Sequence, residues 1–435
     1  MKILPGRGAL RALLSLAAIL ALALGVASLP WRAERAAAPP RVVAAARGAG
    51  PLRAGAAAVA FDLPAGVPIG GFARWSYASE GVRDAVGARA LVLAEPGCKV
   101  ALASADILLV PEALEGAVRA RVTDLGLDGL VLAATHTHAG PGGYWEHAAG
   151  ERIATGPYDP HVRDLVAGAI ADAIRRADGA LAPARVAVAR GTARDLSRSR
   201  SGGARDGRFT VVRVDREGGA PVAELVVFAA HPTLLGMANR KISADWIGPF
   251  LAEGRHGTRL LLQGALGDQS AAGPAATSPE PFAAALSARV DALSPPAAAA
   301  APELAFAAVE VGLPSPDVGA APPLLRRAAR NLAYGAFPPT ARVEAVRIGD
   351  LVLATVPAEP VAAVATRWRA SLPAGTEIVS LADGYLGYVE EPARMAARGG
   401  ETDRTYFGPD LARRLGEAVK LGADLVARPA GSRAP

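Results

Sequence analysis

The segment Thr135-His136-Thr137-His138-Ala139-Gly140-Pro141-Gly142-Gly143 sets two imidazoles two residues apart at the end of an apolar run, Gly129–Ala134. The run reads as a buried strand. On an extended backbone residues i and i+2 point to one side, so His136 and His138 are expected to enter one pocket. Neutral imidazole is the commonest metal ligand, and hydrolytic zinc sites combine His with a carboxylate and leave one position open. Taken alone, His-x-His is also compatible with a hydrogen-bonded turn. A metal site needs further donors from elsewhere in the chain.

Four other apolar runs end in polar or titratable residues. The first ends at His231-Pro232-Thr233, where a satisfied core histidine is the plain alternative. Ser243-Ala244-Asp245 comes next, with Asp245 expected to cap a helix. The second, Leu260-Leu261-Leu262-Gln263-Gly264, turns on its glycines and sets Asp268 and Ser270 at a rim. Gly-x-Ser-x-Gly is absent there, so Ser270 reads as part of a structural turn rather than a nucleophile. The third carries Glu359 to a strand-to-helix junction, a place the helix dipole also favours for a carboxylate. The fourth, Asp383-Gly384-Tyr385-Leu386-Gly387-Tyr388, holds two tyrosines of the kind that normally pack. Together these ends offer His136, His231, Glu359 and Tyr388 as metal donors, with His138 beside them. No His-Glu-x-x-His occurs, so the donors must converge from distant strand ends.

The elements that position them alternate along the chain. Strands are expected over 90–94, 99–108, 130–135, 184–189, 209–214, 223–230, 259–262, 304–311, 345–348, 351–355 and 377–381. Helices are expected over 112–125, 160–177, 244–253, 281–293, 324–334, 360–371 and 411–426. Asp159-Pro160 is a good helix start, with Asp as N-cap and Pro at N1. This predicts an α/β (mixed α+β) domain, a large mixed sheet system flanked by helices, with the active site at strand ends.

Of the 435 residues, the first 41 carry six basic residues against Glu34, while the whole chain is only +6. The rest is therefore near neutral, which argues against a nucleic-acid partner. A basic start, an apolar run from Leu13 to Leu24 and Gly25-Val26-Ala27 read as a targeting segment. Residues 1–31 are a signal peptide or a signal anchor, 32–56 a Pro/Ala-rich linker, 57–428 the folded domain and 429–435 a tail. The folded part is expected outside the cytoplasm, periplasmic or extracellular, released or held at a membrane by that segment. The lone Cys98 cannot form an intrachain disulfide and reads as a core residue.

The ordered motifs resemble the catalytic domain of neutral (non-lysosomal) ceramidases, zinc amidases that cleave the fatty-acyl amide of N-acylsphingosine. The family's Thr-His-Thr-His-Ser-Gly-Pro-Gly-Gly segment is similar to residues 135–143, with Ala139 in place of Ser. Its strand-end His and Ser-Gly-Asp are similar to His231 and Ser243–Asp245, and its Asn-x-Gly-Asp-x-Ser to residues 265–270. Its Pro-Gly-Glu resembles residues 357–359, its Tyr-x-x-Tyr-Val resembles 385–389 and a later Tyr-Gly-Pro resembles 406–409. The resemblance implies Zn²⁺ held by His136, His231, Glu359 and Tyr388, with His138 stabilising the oxyanion or moving protons. It also implies a site arginine at Arg200, with Arg198 as the alternative.

The activity implied by this resemblance is hydrolysis of an N-acyl amide in ceramide or a related lipid-like substrate by zinc-activated water. Two departures keep other readings open. Gly400-Glu401 stands where the family has Tyr-Glu, and family members continue into an immunoglobulin-like domain beyond the point where this sequence stops. A zinc hydrolase of another envelope or extracellular amide or ester is the second reading. A non-catalytic exported binding protein with a vestigial site is the third. If Gly400 marks a lost phenol, Gly400→Tyr is expected to raise ceramide turnover.

Overall fold

The computed structural model describes residues 35–72, 78–317 and 326–428. The expected targeting segment over 1–31 and the expected tail over 429–435 lie outside the described residues. In chain order the strands are β1 (Arg41–Arg47), β2 (Arg53–Ala60), β3 (Gly87–Glu95), β4 (Cys98–Ala105), β5 (Gly129–Ala134), β6 (Ala182–Thr192), β7 (Ser197–Ser199), β8 (Arg208–Arg216) and β9 (Pro221–Phe228). They continue as β10 (Thr258–Gln263), β11 (Gln269–Ala271), β12 (Leu304–Gly312), β13 (Thr340–Ile348), β14 (Leu351–Thr355), β15 (Glu359–Pro360), β16 (Thr376–Val379) and β17 (Tyr388–Val389).

Eight strands form one sheet in the order β10-β9-β8-β6-β2-β3-β4-β5, and five form another in the order β1-β12-β13-β14-β16. Within these two sheets pairing is antiparallel except for β4–β5, β9–β10 and β14–β16. Alternate residues explain why both sheets are needed. Leu91, Leu93, Leu102, Val131, Leu225 and Leu262 point to one face of the large sheet. There they meet Leu304, Phe306, Val346 and Leu353 of the small one. The residues between them, such as Val92, Ala103, Leu132 and Val226, turn to the opposite face and pack on the helices Pro160–Gly179 and Pro279–Asp291. The outer face of the small sheet is covered by Ala362–Arg369 and Asp410–Ala427. Strands buried on both faces carry near-continuous apolar runs, which is what made them legible. The mixed α/β architecture with flanking helices is as the sequence predicts.

The large sheet also curls. Ser104 Oγ on β4 donates to Leu261 O on β10 (2.6 Å), and Gln263 Nε2 at the end of β10 donates to Thr135 O after β5 (2.8 Å). Twist of roughly 20–25° per strand pair is the physical cause, because over a wide sheet it swings the edge strands toward each other. The ends of β5, β9 and β10 therefore come together.

The expected linker over 32–56 is overturned. Residues 41–47 are β1, paired antiparallel with β12 from Arg41↔Glu310 to Arg47↔Ala305, and residues 53–60 are β2, paired with β3. The folded domain therefore begins well before residue 57. Small, Ala-rich strands carry weak local β signal, and here their partners decide. Asp159 caps the long helix as expected, accepting from His161 N at 2.8 Å. Cys98 is buried between the two sheets, and burial pushes its thiol up to about 12.

Candidate metal centre

Strand β5 ends at Ala134, and the backbone leaves it by donating Thr135 N to Ala105 O (2.9 Å) and His136 N to Ile107 O (3.0 Å). His136 has φ +67°. A left-handed conformation is rare in residues with a side chain and costs about 1–3 kcal/mol, so it persists only where the surroundings impose it. The two imidazoles do enter one pocket, with His138 Nε2 3.3 Å from His136 Nε2. The cause is this turn and not the strand period that the sequence suggested. Gly71 makes room for it: at φ +88° it sits where a Cβ would come within 2.8 Å of the Cα, Cβ and Cγ of His138.

The other donors arrive on separate segments. His231 lies beyond β9 and forms a bridge with Ser270 of β11, its N–H donating to Gln269 O (3.0 Å). Glu359 lies on β15, in register with Tyr388 on β17. Tyr385 OH, on the loop before β17, donates to Glu359 Oε1 (2.9 Å). Arg200, just after β7, gives Nη2 to Tyr388 OH (3.0 Å) and Gly267 O (3.0 Å), and Nε to Glu401 Oε1 (2.8 Å). Arg200, through these contacts, is the arginine that reaches the site; it lines the cavity and Arg198 does not. Both candidate ligand histidines are fixed from behind. His136 Nδ1 lies 2.6 Å from Leu108 O and His231 Nδ1 2.8 Å from Gln269 O. A carbonyl only accepts, so each ring carries a proton on Nδ1, and in the neutral ring that binds a metal the Nε2 lone pair then turns inward.

Those lone pairs converge. Glu359 Oε2 is 3.3 Å from His136 Nε2 and 3.2 Å from His231 Nε2, and Tyr388 OH is 3.2 Å from His231 Nε2. Burial, with Arg200 alongside, pushes His231 down to about 4, so its ring is neutral at pH 7. Burial raises the Glu359 carboxyl, and only positive charge or N–H donation from the His136 and His231 side holds it well below the usual carboxylate range; with both lone pairs turned inward, a bound cation would have to supply that charge. Glu359 Oε2 is buried without a hydrogen-bond partner. A carboxylate oxygen facing two imidazole lone pairs in a buried site calls for a cation between them. The donor set therefore fits a metal ion, and the nitrogens of His136, His138 and His231 lie within 4.8 Å of one another. Burial, then the Glu359 charge, pushes the Tyr388 phenol well above its usual range, and Arg200 opposes this. A second cation beside Tyr388 would favour its ionised form.

The cluster sits at the floor of a cavity of about 1180 Å³. One wall is apolar: Phe72 packs edge-on against His138 (4.8 Å), and Leu109, Trp145, Ile153 and Met237 continue it. Burial, with His136 and His231 alongside, holds the His138 imidazole well below the usual histidine range.

Several residues that the sequence presented as turn or packing positions turn out to brace this floor. Asp245 is not a simple helix cap. Its carboxylate accepts from Leu234 N (3.2 Å), Leu235 N (2.8 Å) and Trp246 N (2.7 Å), which ties down the loop after His231. Asp268 accepts from Ser199 Oγ (2.6 Å) and Ala362 N (3.0 Å), joining the Arg200 segment to the Glu359 segment. Ser270 lines the cavity. Sequence reasoning missed the roles of Gln263 and Asp383. Gln263 Nε2 reaches Thr135 O, while Asp383 Oδ1 accepts from Leu132 N (3.0 Å), holding the tyrosine loop on β5. A polar residue at the end of an apolar strand was the only available signal for either.

The structure overturns the expectation for Gly400. Its φ is +64°, and a Cβ there would fall 2.0 Å from Glu390 Oε2 and 2.8 Å from Arg394 Nε. Gly400→Tyr is therefore expected to lower stability by about 2 kcal/mol or more and to reduce turnover rather than raise it. A thermal melt beside a rate assay checks this, and an active variant with unchanged Tm would refute it. Tyr385, of the Tyr-x-x-Tyr-Val motif, already sets one phenol on the Glu359 carboxylate.

Comparison with known proteins agrees with this architecture. Residues 62–253 match the N-terminal family model of neutral/alkaline non-lysosomal ceramidases. Similar proteins include a neutral ceramidase of Mycobacterium tuberculosis, 27% identical over 199 residues, which are 40% of this chain and 31% of that protein. Neutral ceramidase A of Dictyostelium discoideum is 30% identical over 133 residues, 27% of this chain and 18% of that one. These matches thus span under a third of either relative's length. The crystal structure of neutral ceramidase from Pseudomonas aeruginosa has the same fold, with a TM-score of 0.72 at 20% identity, covering 88% of this chain and 76% of that one. Motif order, family model and fold point the same way: residues 62–253 are similar to the N-terminal part of neutral/alkaline non-lysosomal ceramidases, and the chain shares the fold of one of them.

Proposed function

We propose that the protein is a zinc-dependent amidohydrolase that cleaves the N-acyl amide of a lipid-like substrate, ceramide or an analogue. The observation that carries this reading is the buried Glu359 oxygen facing two inward imidazole lone pairs at the floor of a large, half-apolar cavity. His136, His231, Glu359 and Tyr388 would hold the ion, which supplies Lewis acidity for hydrolysis at neutral pH. His138, neutral and packed on Phe72, presents an N–H toward the oxygen that gains charge at the attacked carbonyl. Arg200 steadies the Tyr388 oxygen and fixes the wall beside it. The apolar wall excludes water and takes the acyl chain. A vestigial site is disfavoured because all four donors come together and both histidines keep a supporting carbonyl.

The N-terminal targeting segment supports export, so we place the activity in the periplasm or outside the cell, with membrane association through that segment. Among the described residues no helix is long and apolar enough to cross a membrane. The reading is tested by metal analysis of the purified chain together with hydrolysis of a series of N-acyl amides. Each added CH₂ buried contributes about 0.8 kcal/mol, up to roughly fourfold in kcat/KM, until the cavity is filled. Bound zinc with a rising profile supports the proposal. A flat profile on metal-loaded, active protein rejects a lipid-like substrate.

A further inference from the structure

The wall beside Tyr388 is chemically unlike the wall beside His138. Glu401 is buried and bridges two guanidiniums, accepting from Arg200 Nε at Oε1 and from Arg404 Nη1 at Oε2, both at 2.8 Å. Both guanidinium carbons lie over the Tyr388 ring, at 5.6 Å for Arg200 and 5.9 Å for Arg404. The two arginines differ in commitment. Arg200 also spends Nη2 on Gly267 O and Tyr388 OH, and its side chain is 27% exposed. Arg404 is 59% exposed, lines the cavity, and gives Nη1 to Glu401.

Charge does not balance on this wall. Among the described cavity-lining residues the full charges are Arg200, Arg404, Glu359 and Glu401. Glu359 belongs to the donor cluster, which leaves two cations against the single carboxylate of Glu401. The nearby Glu390 is already paired with Arg394 (3.7 Å), so that pair adds nothing net. One positive charge on the wall therefore goes unbalanced among the described residues.

An amide has two substituents, and the cavity has two walls. With the carbonyl at the donor cluster and the acyl chain along Phe72 and Trp145, the amine substituent faces Arg404. A neutral hydroxylated amine would leave that guanidinium to water. A carboxylate matches its fork of N–H donors. A single excess charge suits a monoanion better than a phosphate monoester, which carries about −1.5 to −2. We infer that the preferred substrates are N-acyl amines bearing a carboxylate on the amine side, N-acyl amino acids as a class, with Arg404 as the recognising cation. The orientation of the substrate rests on the amidohydrolase reading above, whereas anion binding at Arg404 does not.

The test compares N-lauroylglycine with its neutral counterpart N-lauroylglycinamide on the metal-replete full chain at low salt. The carboxylate should be favoured in kcat/KM by roughly tenfold or more, the scale of a charge-assisted hydrogen bond. That ratio should collapse toward one in Arg404→Gln and recover in part in Arg404→Lys. A wild-type ratio near one, or a ratio unchanged by Arg404→Gln, overturns the inference. Equilibrium dialysis gives Kd for the same two amides on the same proteins. If neither amide is cleaved, the amidohydrolase reading fails, and the Kd ratio still decides whether Arg404 selects the anion.

Discussion

His136→Ala and His231→Ala are each expected to yield a folded protein that holds no zinc after dialysis and hydrolyses no N-acyl amide. Each ring supplies one inward Nε2, and each is aligned by a carbonyl at 2.6 or 2.8 Å behind it. Loss of such a supporting bond alone typically costs about 10–100-fold in metal affinity. Loss of the ligand removes one of four donors and costs more. Both positions are buried, so truncation also opens a small cavity, and circular dichroism is needed to show that the fold survives. His256→Ala is the matched control: that ring pairs with Asp215 at 2.7 Å, away from the cavity, and its loss should leave zinc in place. Full metal retention in both site variants would remove His136 and His231 from the ligand set.

The second large effect separates His138 from its neighbours. His138→Ala should keep its zinc and lose roughly 10²–10³ in kcat, the usual cost of deleting one donor aimed at a developing oxyanion. The ring is 3.3 Å from His136 Nε2 and is buried enough to stay neutral. Unlike His136 and His231, its Nδ1 is buried without a hydrogen-bond partner. Nothing therefore fixes its proton on the far side, and the inward nitrogen is free to carry it. Metal and rate must be measured on the same preparation. A variant that loses zinc would make His138 a ligand, and one with an unchanged rate would make it a spacer.

The sequence disclosed strands and donors unevenly, for physical reasons. Strands such as β5, β9 and β14 are buried on both faces, so burial wrote them as unbroken apolar runs. The residue at the end of each run was then conspicuous, which is how His136, His231 and Glu359 could be singled out. β1 and β2 escaped because alanine and arginine carry little strand preference and their pairing is decided by β12 and β3. Tyr385 passed as packing because its partner, Glu359, is 26 residues away. The turn at His136 was out of reach in a different sense. Its left-handed backbone is held by hydrogen bonds to Ile107 and Leu108, with Gly71 leaving room for His138 after it, and none of these is adjacent in the chain. A local reading gave the right pocket for the two rings by the wrong geometry.

If the proposed N-terminal segment is kept as an anchor, the early docking of the chain sets how far the domain can stand from a bilayer. The described residues make contact with the domain from Arg35 onward. Its guanidinium reaches Pro338 O (2.7 Å) and Phe337 O (3.0 Å), and Phe337 lines the cavity. Only three residues separate Trp31 from Arg35, a covalent reach of roughly 14 Å at most. A free tether over the whole of 32–56 would have let the domain roam tens of ångströms from the surface. A retained N-terminal anchor would instead moor the Phe337 side of the cavity beside the headgroups, within reach of an amphiphile that has barely left the membrane.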